Sequence, residues 1–160
     1  MPENRLALIV SLTTGLRIDD VLHLKTAKIQ KQRFTVKEMK TGKTRRVNLS
    51  VGLWQELLQV AGRIYVFEHR TDPKRCRTRQ AVNKDLKRAC ELFRIKGVNL
   101  SPHSARKIYA VNNYRRTCDL DKVRALLNHS EKQTEVTMLY AMADVLTERR
   151  TARKKVHYPT

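Results

Sequence analysis

Apolar residues recur every three to four positions at the start of the chain and again in most segments after residue 50. Leu6, Ile9 and Val10 follow this spacing, which predicts a short buried helix over residues 3–13. Gly15 is expected to end that helix, because glycine is the usual residue just past a helix C-terminus. Apolar residues predict further helices over about 19–25, 51–61 and 80–95. Ser101 as N-cap and Pro102 at the first helical position predict another helix up to about residue 116, and a helix over 120–127 is followed by a segment reaching about residue 142.

Residues 27–49 change to a period of two. Phe34 and Val36 alternate with polar neighbours, as Val47 and Leu49 do, and the Lys-Thr-Gly-Lys run at 40–43 is a turn signal, so a β-hairpin is predicted. A short strand and a basic polar loop are predicted at 65–67 and 68–79. The expected fold class is therefore α+β, mostly helical, with one small antiparallel sheet.

The charge of the chain indicates its class of partner. Its 160 residues include 34 Lys or Arg and 15 Asp or Glu, which gives a formal net charge of +19 and a pI near 10.4. Solubility does not require such an excess, and a polyanion such as nucleic acid is the simplest partner that explains it. The 41% of apolar residues, grouped into periodic segments, is sufficient for the core of one domain and argues against disorder.

The cysteines and the longest apolar runs indicate the cellular compartment in which the chain is expected to fold. Cys76, Cys90 and Cys118 are widely spaced and form no CxxC pair, so neither a zinc ribbon nor a disulfide framework is predicted. We therefore expect a reducing, cytoplasmic compartment. No apolar run approaches the roughly 20 residues that a membrane-spanning helix needs, and no membrane association is expected.

Six residues form a set whose side chains could act together in catalysis. One arginine follows a glycine turn, one lysine lies at the hairpin tip, and a His and an Arg three positions apart fall on one helix face. A second histidine and a tyrosine follow later in the chain. In order, these residues are Arg17, Lys40, His103, Arg106, His129 and Tyr140.

Taken in this order, the six residues resemble the signature of the tyrosine recombinase (phage integrase) catalytic domain, which reads Arg, Lys, His-x-x-Arg, His or Trp, then Tyr. The resemblance extends over about residues 5–146, and Asp20 falls where an acidic residue usually supports the first arginine. Two features depart from the pattern. Asn128 stands where the family usually has glycine, and the interval from His129 to Tyr140 is about two residues longer than usual.

The resemblance implies a division of roles. Tyr140 would attack a DNA phosphate and hold the cut strand as a 3′-phosphotyrosine, while Arg17 and Arg106 clamp the non-bridging oxygens. His103 is the candidate base or a hydrogen-bonding partner, and His129 is a second donor to the phosphate. Lys40 is the candidate general acid for the departing 5′-oxygen, with Lys43 as its rival. Neither a metal ion nor another cofactor is expected.

Two other functions are compatible with the charge. One is relaxation of supercoiled DNA by the same chemistry, as in type IB topoisomerases, and the other is a non-catalytic DNA-binding module such as a repressor. A non-catalytic DNA-binding module gives no reason for the six residues to occur in family order. A site-specific recombinase or integrase is therefore the favoured interpretation.

The resemblance also implies a domain organisation and partners. Residues 1–147 are expected to form the catalytic domain and residues 148–160 a basic tail. Because the pattern starts by residue 14, the usual amino-terminal core-binding domain is expected to be missing, and the chain to be a fragment. The expected partner is double-stranded DNA. The chain is expected to be monomeric in solution and to form a tetramer on DNA during synapsis. Accessory DNA-bending proteins are further candidate partners.

Overall fold

The computed structural model describes residues 1–97 and 99–129, and the chain divides into two compact units, residues 1–106 and 107–160. Six α-helices, one short 3-10 helix (Thr26–Lys28) and two strands lie in the described part. The α-helices and strands are α1 (Pro2–Thr14), α2 (Ile18–Leu22), β1 (Arg33–Lys37), β2 (Thr44–Asn48), α3 (Val51–Val60), α4 (Arg79–Leu92), α5 (Pro102–Thr117) and α6 (Leu120–Leu126). The fold class predicted from the sequence, mostly helical with one small antiparallel sheet, is confirmed.

Helix α1 is central to the core of the first unit. It packs against α2, α3 and α4, and its apolar residues at helical spacing, Leu6, Ala7 and Val10, are each at most 3% exposed. The indole of Trp54 in α3 packs against the same cluster and donates a hydrogen bond of 2.8 Å to the Ile29 carbonyl. The first unit therefore has a continuous hydrophobic core on which its polar site is built.

The predicted hairpin is present, with Phe34 opposite Val47 in an antiparallel register. Phe34, Val36 and Val47 face the core, whereas Thr35 faces solvent. Because side chains alternate with a period of two, this burial fixes the register of the pair. Residues 38–43 connect the two strands and are called the hairpin loop below.

Two sequence predictions differ in detail from the structure. Helix α2 was expected to reach residue 25 but ends at Leu22, and the strand expected at 65–67 is a single bridge between Lys25 and Tyr65. The two differences have one cause. The carbonyl of Leu24 accepts a hydrogen bond of 2.9 Å from the Val66 amide, so the backbone after α2 pairs with a distant segment instead of continuing the helix.

In the second unit, the described residues form a small core of Ala110, Val123 and Leu127, against which Tyr109 and Tyr114 pack. The Asp119 side chain caps α6 by accepting a 3.0 Å hydrogen bond from the Lys122 amide. The predicted segment up to residue 142 and the basic tail lie outside the described residues. Among the helices that are described, none is both long enough and apolar enough to cross a bilayer.

Candidate active site

Arg17 is held in place by the turn that ends α1. Gly15 adopts a left-handed conformation with φ of 69°, and its amide donates to the Ser11 carbonyl at 2.9 Å. Leu16 and Ile18 on either side are buried in the core. Their burial leaves the side chain of Arg17, 13% exposed, directed towards the hairpin loop.

A carboxylate that the sequence interpretation did not identify is the closest partner of Arg17. Glu38 Oε2 lies 2.5 Å from Arg17 Nη1, and the Glu38 side chain is fully buried. The Thr41 hydroxyl donates to the same oxygen at 3.0 Å, and Arg45 Nη1 is 4.0 Å from Oε1. A signal for Glu38 did exist in the sequence, because positions 34, 36 and 38 continue the inward-facing alternation of β1 and place an acidic residue on the core side.

Asp20 is a second buried carboxylate beside Arg17. Its Oδ1 accepts a 2.8 Å hydrogen bond from the Met39 amide, and its Oδ2 is 4.0 Å from Arg17 Nη1. Burial raises the pKa of Asp20 above its ordinary value, and the nearby charge of Glu38 adds to the increase. The sequence prediction that Asp20 supports Arg17 is therefore correct in location, but Glu38 makes the shorter contact.

Arg106 reaches the same turn from the beginning of α5. Its Nη1 donates to the Gly15 carbonyl at 2.5 Å, and the residue is only 5% exposed. Burial lowers its pKa to about 10, with the neighbouring charges of Arg17 and Arg45 adding to the decrease. The guanidinium therefore remains ionised at neutral pH.

The cluster of Arg17, Arg45, Arg106, Asp20 and Glu38, called the arginine cluster below, carries one net positive charge when all five groups are ionised. Arg45 joins it through β2 and donates to the Thr14 carbonyl. Guanidinium groups present forked donors that match phosphate oxygens. The described residues include no group of three or more His, Cys, Asp or Glu side chains that could hold a metal ion.

The remaining predicted residues of the first unit are exposed. Lys40 is exposed in the hairpin loop, between Met39 and Thr41, which bond to Asp20 and Glu38 respectively. Lys43, its rival, is exposed at the end of the loop. His103 is exposed at the second position of α5, one turn before Arg106.

His129 belongs to the second unit, where it follows α6 and is half-buried. Its amide donates to the Arg124 carbonyl at 3.1 Å. The preceding Asn128 has φ of 52°, a left-handed conformation that asparagine adopts more readily than most residues other than glycine. Asn128 therefore has a backbone conformation that glycine would also adopt readily. Tyr140 lies outside the described residues.

A second basic surface lies in the first unit, apart from the hairpin loop. An open polar cavity of about 500 Å³ is lined by residues of the 68–79 loop and the beginning of α4, among them Lys74, Arg75 and Arg79. Asp19 forms an ion pair of 3.6 Å with Arg79 at this cavity. These basic side chains belong to the loop that the sequence predicted as basic and polar.

Comparison with known sequences gives a match over nearly the whole chain. The family model described as "Phage integrase family" matches residues 2–146. A curated protein of Bacillus subtilis (strain 168), "Probable integrase/recombinase YoeC", is 29% identical over 150 residues, covering 88% of this chain and 78% of that protein.

Solved structures have the same fold at lower identity. The XerH site-specific recombinase, in a post-cleavage complex bound to palindromic difH substrate, matches with a TM-score of 0.69 and 20% identity over 86% of this chain and 41% of that one. The catalytic domain of bacteriophage HP1 integrase matches with a TM-score of 0.61 and 21% identity over 85% of this chain and 72% of that one. This chain therefore spans about two fifths of the length of XerH and most of the HP1 catalytic domain.

Proposed function

The chain belongs to the phage integrase family, and from this premise we propose that it is the catalytic domain of a tyrosine-type site-specific DNA recombinase. It cuts and rejoins strands of double-stranded DNA through a 3′-phosphotyrosine. The observation that carries the proposal is the convergence of Arg17 and Arg106 on one turn, where Arg106 bonds to the Gly15 carbonyl two residues before Arg17.

The two arginines are suited to a phosphodiester. Negative charge concentrates on the non-bridging oxygens in the transition state, and preorganised cationic donors stabilise that charge. Arg17 is held by Glu38 and Arg106 by Gly15, so each guanidinium has a fixed position before DNA arrives. The arginine cluster has three arginines and two carboxylates, and its net positive charge favours an anion such as a scissile phosphate.

The remaining steps are assigned to the other residues of the signature. Tyr140 attacks phosphorus and forms the Oη–P bond, with His103 accepting its proton. The P–O5′ bond breaks, and Lys40 protonates the departing 5′-oxygen. His129 donates a further hydrogen bond to the phosphate. Lys40 is preferred over Lys43 because the residues on both sides of it are bonded to the arginine cluster. The phosphotyrosine conserves the energy of the broken bond, so rejoining needs neither ATP nor a metal ion.

We further propose that residues 1–147 form the catalytic domain and residues 148–160 a basic tail. The partner is double-stranded DNA, in keeping with the DNA complex of XerH. Basic residues beyond the arginine cluster, such as Lys74 and Arg75, would contact the DNA backbone, which positions the protein without specifying a sequence. A tetramer during synapsis and accessory DNA-bending proteins belong to the same proposal.

The test is covalent capture of DNA. The protein is incubated in EDTA with a library of nicked duplexes of random sequence, in which the short fragment released by cleavage diffuses away and traps the adduct. We expect adducts that survive SDS and carry a 3′-phosphate on Tyr140, and sequencing of the trapped DNA identifies the site.

The matched variant is Tyr140→Phe, which should form no adduct while keeping salt-sensitive DNA binding. An adduct that persists in this variant would show that the nucleophile is a residue other than Tyr140. Two plasmids carrying the captured site then distinguish the functions, because a recombinase exchanges strands between them, whereas a topoisomerase only relaxes them. DNA binding with no adduct from the wild-type protein would favour a non-catalytic module.

A further inference from the structure

We propose that Glu38 and Thr41 are positioning residues that hold the Lys40 loop against Arg17, so that the general acid and the phosphate clamp are aligned as one unit. This inference rests on the proposed function. It adds to the family signature two residues that do not contact the reacting atoms. It also gives a reason for a fully buried acidic residue in a strongly basic protein.

The side chain of Glu38 connects the two parts directly. Its Oε2 atom accepts from Arg17 Nη1 at 2.5 Å and from the Thr41 hydroxyl at 3.0 Å. One carboxylate oxygen therefore binds the clamp arginine on one side and the residue next to Lys40 on the other. A movement of Thr41 away from this oxygen would break the link between the loop and Arg17.

The backbone of Glu38 closes the same loop. Its amide donates to the Lys43 carbonyl at 2.9 Å, and its carbonyl accepts from the Gly42 amide at 2.8 Å. Gly42 has φ of 66°, which allows the chain to turn back at this point. Together with the Met39–Asp20 hydrogen bond of 2.8 Å, these contacts restrain the loop on both sides of Lys40.

Restraint at this place has a chemical purpose. Lys40 itself is exposed, and a lysine side chain has four rotatable bonds, so an unrestrained loop would leave its ammonium distributed over many positions. General acid catalysis requires the donor within hydrogen-bond distance of the leaving oxygen, and a displacement of about 1 Å can lower a rate about 10²-fold. Glu38 and Thr41 limit that displacement relative to the guanidinium that binds the phosphate.

The experiment measures single-turnover cleavage of two substrates that differ in one atom. One carries the normal 5′-oxygen at the scissile phosphate, and the other a bridging sulfur. A thiolate leaves without being protonated because its conjugate acid is much stronger than an alcohol. A defect that acts through the general acid is therefore rescued by sulfur, whereas a defect of the phosphate clamp is not.

Thr41→Val is the first variant, because valine keeps the shape of the side chain and removes the hydroxyl that bonds Glu38. We expect cleavage of the oxygen substrate to fall by about tenfold to 10²-fold, and cleavage of the sulfur substrate to stay within about threefold of wild type. Lys40→Ala should show the same pattern with a larger loss, and Arg17→Ala should be slow on both substrates. Glu38→Gln added to Thr41→Val should cause less than the product of the two single losses.

Thr35→Val is the matched control, since it makes the same chemical change at an exposed position of β1 in the same hairpin and should cleave both substrates at the wild-type rate. The inference is overturned if Thr41→Val cleaves the oxygen substrate like wild type, or if it is equally slow on both substrates. If the wild-type protein forms no adduct at all, the proposed function fails and this inference fails with it. If the wild-type protein forms the adduct but the sulfur substrate does not restore cleavage by Thr41→Val, the proposed function stands and this inference fails.

Discussion

Arg17→Ala should destabilise the folded protein because it leaves a buried carboxylate without its closest counterion. Glu38 is fully buried, and Arg17 Nη1 is its partner at 2.5 Å. Removing one member of a buried ion pair typically costs 3–5 kcal/mol. Thr41 and Arg45 remain near Glu38, so the expected loss is at the lower end, about 3 kcal/mol. For a chain of this size, that loss corresponds to a decrease in melting temperature of about 6 to 12 °C.

A double-mutant cycle isolates this pair. The free energy of unfolding is measured by urea denaturation for wild type, Arg17→Ala, Glu38→Gln and the double variant. We expect the double variant to lose less than the sum of the single losses, because each single change removes the same 2.5 Å contact between the two buried groups. Arg5→Ala is the control, since Arg5 and Glu56 form an exposed pair at 3.7 Å whose loss should cost at most about 0.5 kcal/mol. Arg17→Ala within 1 kcal/mol of wild type, or simple additivity, would refute this account of Glu38.

Two further predictions concern the partners of Arg17. Asp20→Asn keeps the oxygen that accepts from the Met39 amide. The pKa of Asp20 is raised in the folded state, so the ionised carboxylate lowers stability at pH values above that raised pKa. Below the pKa of the unfolded chain, near 4, the carboxyl is protonated in both states and the effect is absent. The variant should therefore gain a few degrees in melting temperature at pH 7 and less at pH 4, and a loss at pH 7 would contradict the burial argument. Arg106→Lys keeps the charge but loses the guanidinium fork, which bonds to Gly15 and which we propose also binds the phosphate. Single-turnover cleavage should therefore fall at least 10²-fold while salt-sensitive DNA binding remains. Cleavage within tenfold of wild type would argue against the clamp.

The elements that the sequence predicted well are those with a strong local pattern. Helix α1 and its glycine end follow from apolar spacing and backbone preference, and the hairpin follows from its period of two and its turn residues. The end of α2 and the bridge at Tyr65 were missed because they depend on a hydrogen bond between Leu24 and Val66, which no local window contains.

The candidate site was predictable to a different degree. The family order identified Arg17 and Arg106, and the structure brings both to the turn at Gly15. The family order did not identify Glu38 or Arg45, because among many charged residues nothing in the local sequence indicates which pair is buried. The alternation of β1 held the only signal for Glu38, and recognising it required treating a charged residue as part of an inward-facing strand pattern. Tyr140 remains a prediction.

The hydrogen bond from Arg106 to Gly15 joins residues 91 positions apart in the sequence. Closing a loop of this length costs about 4 kcal/mol of chain entropy, and the cost is recovered only after the intervening helices and hairpin have packed. Contacts between residues so far apart in the chain are of the kind that slows folding as a whole. A nascent chain that has not yet emerged as far as Arg106 has Arg17 and Arg45 but lacks the third arginine of the cluster. On the proposed function, such a chain lacks half of the Arg17–Arg106 phosphate clamp, so strand cleavage would have to wait until Arg106 has reached the Gly15 carbonyl.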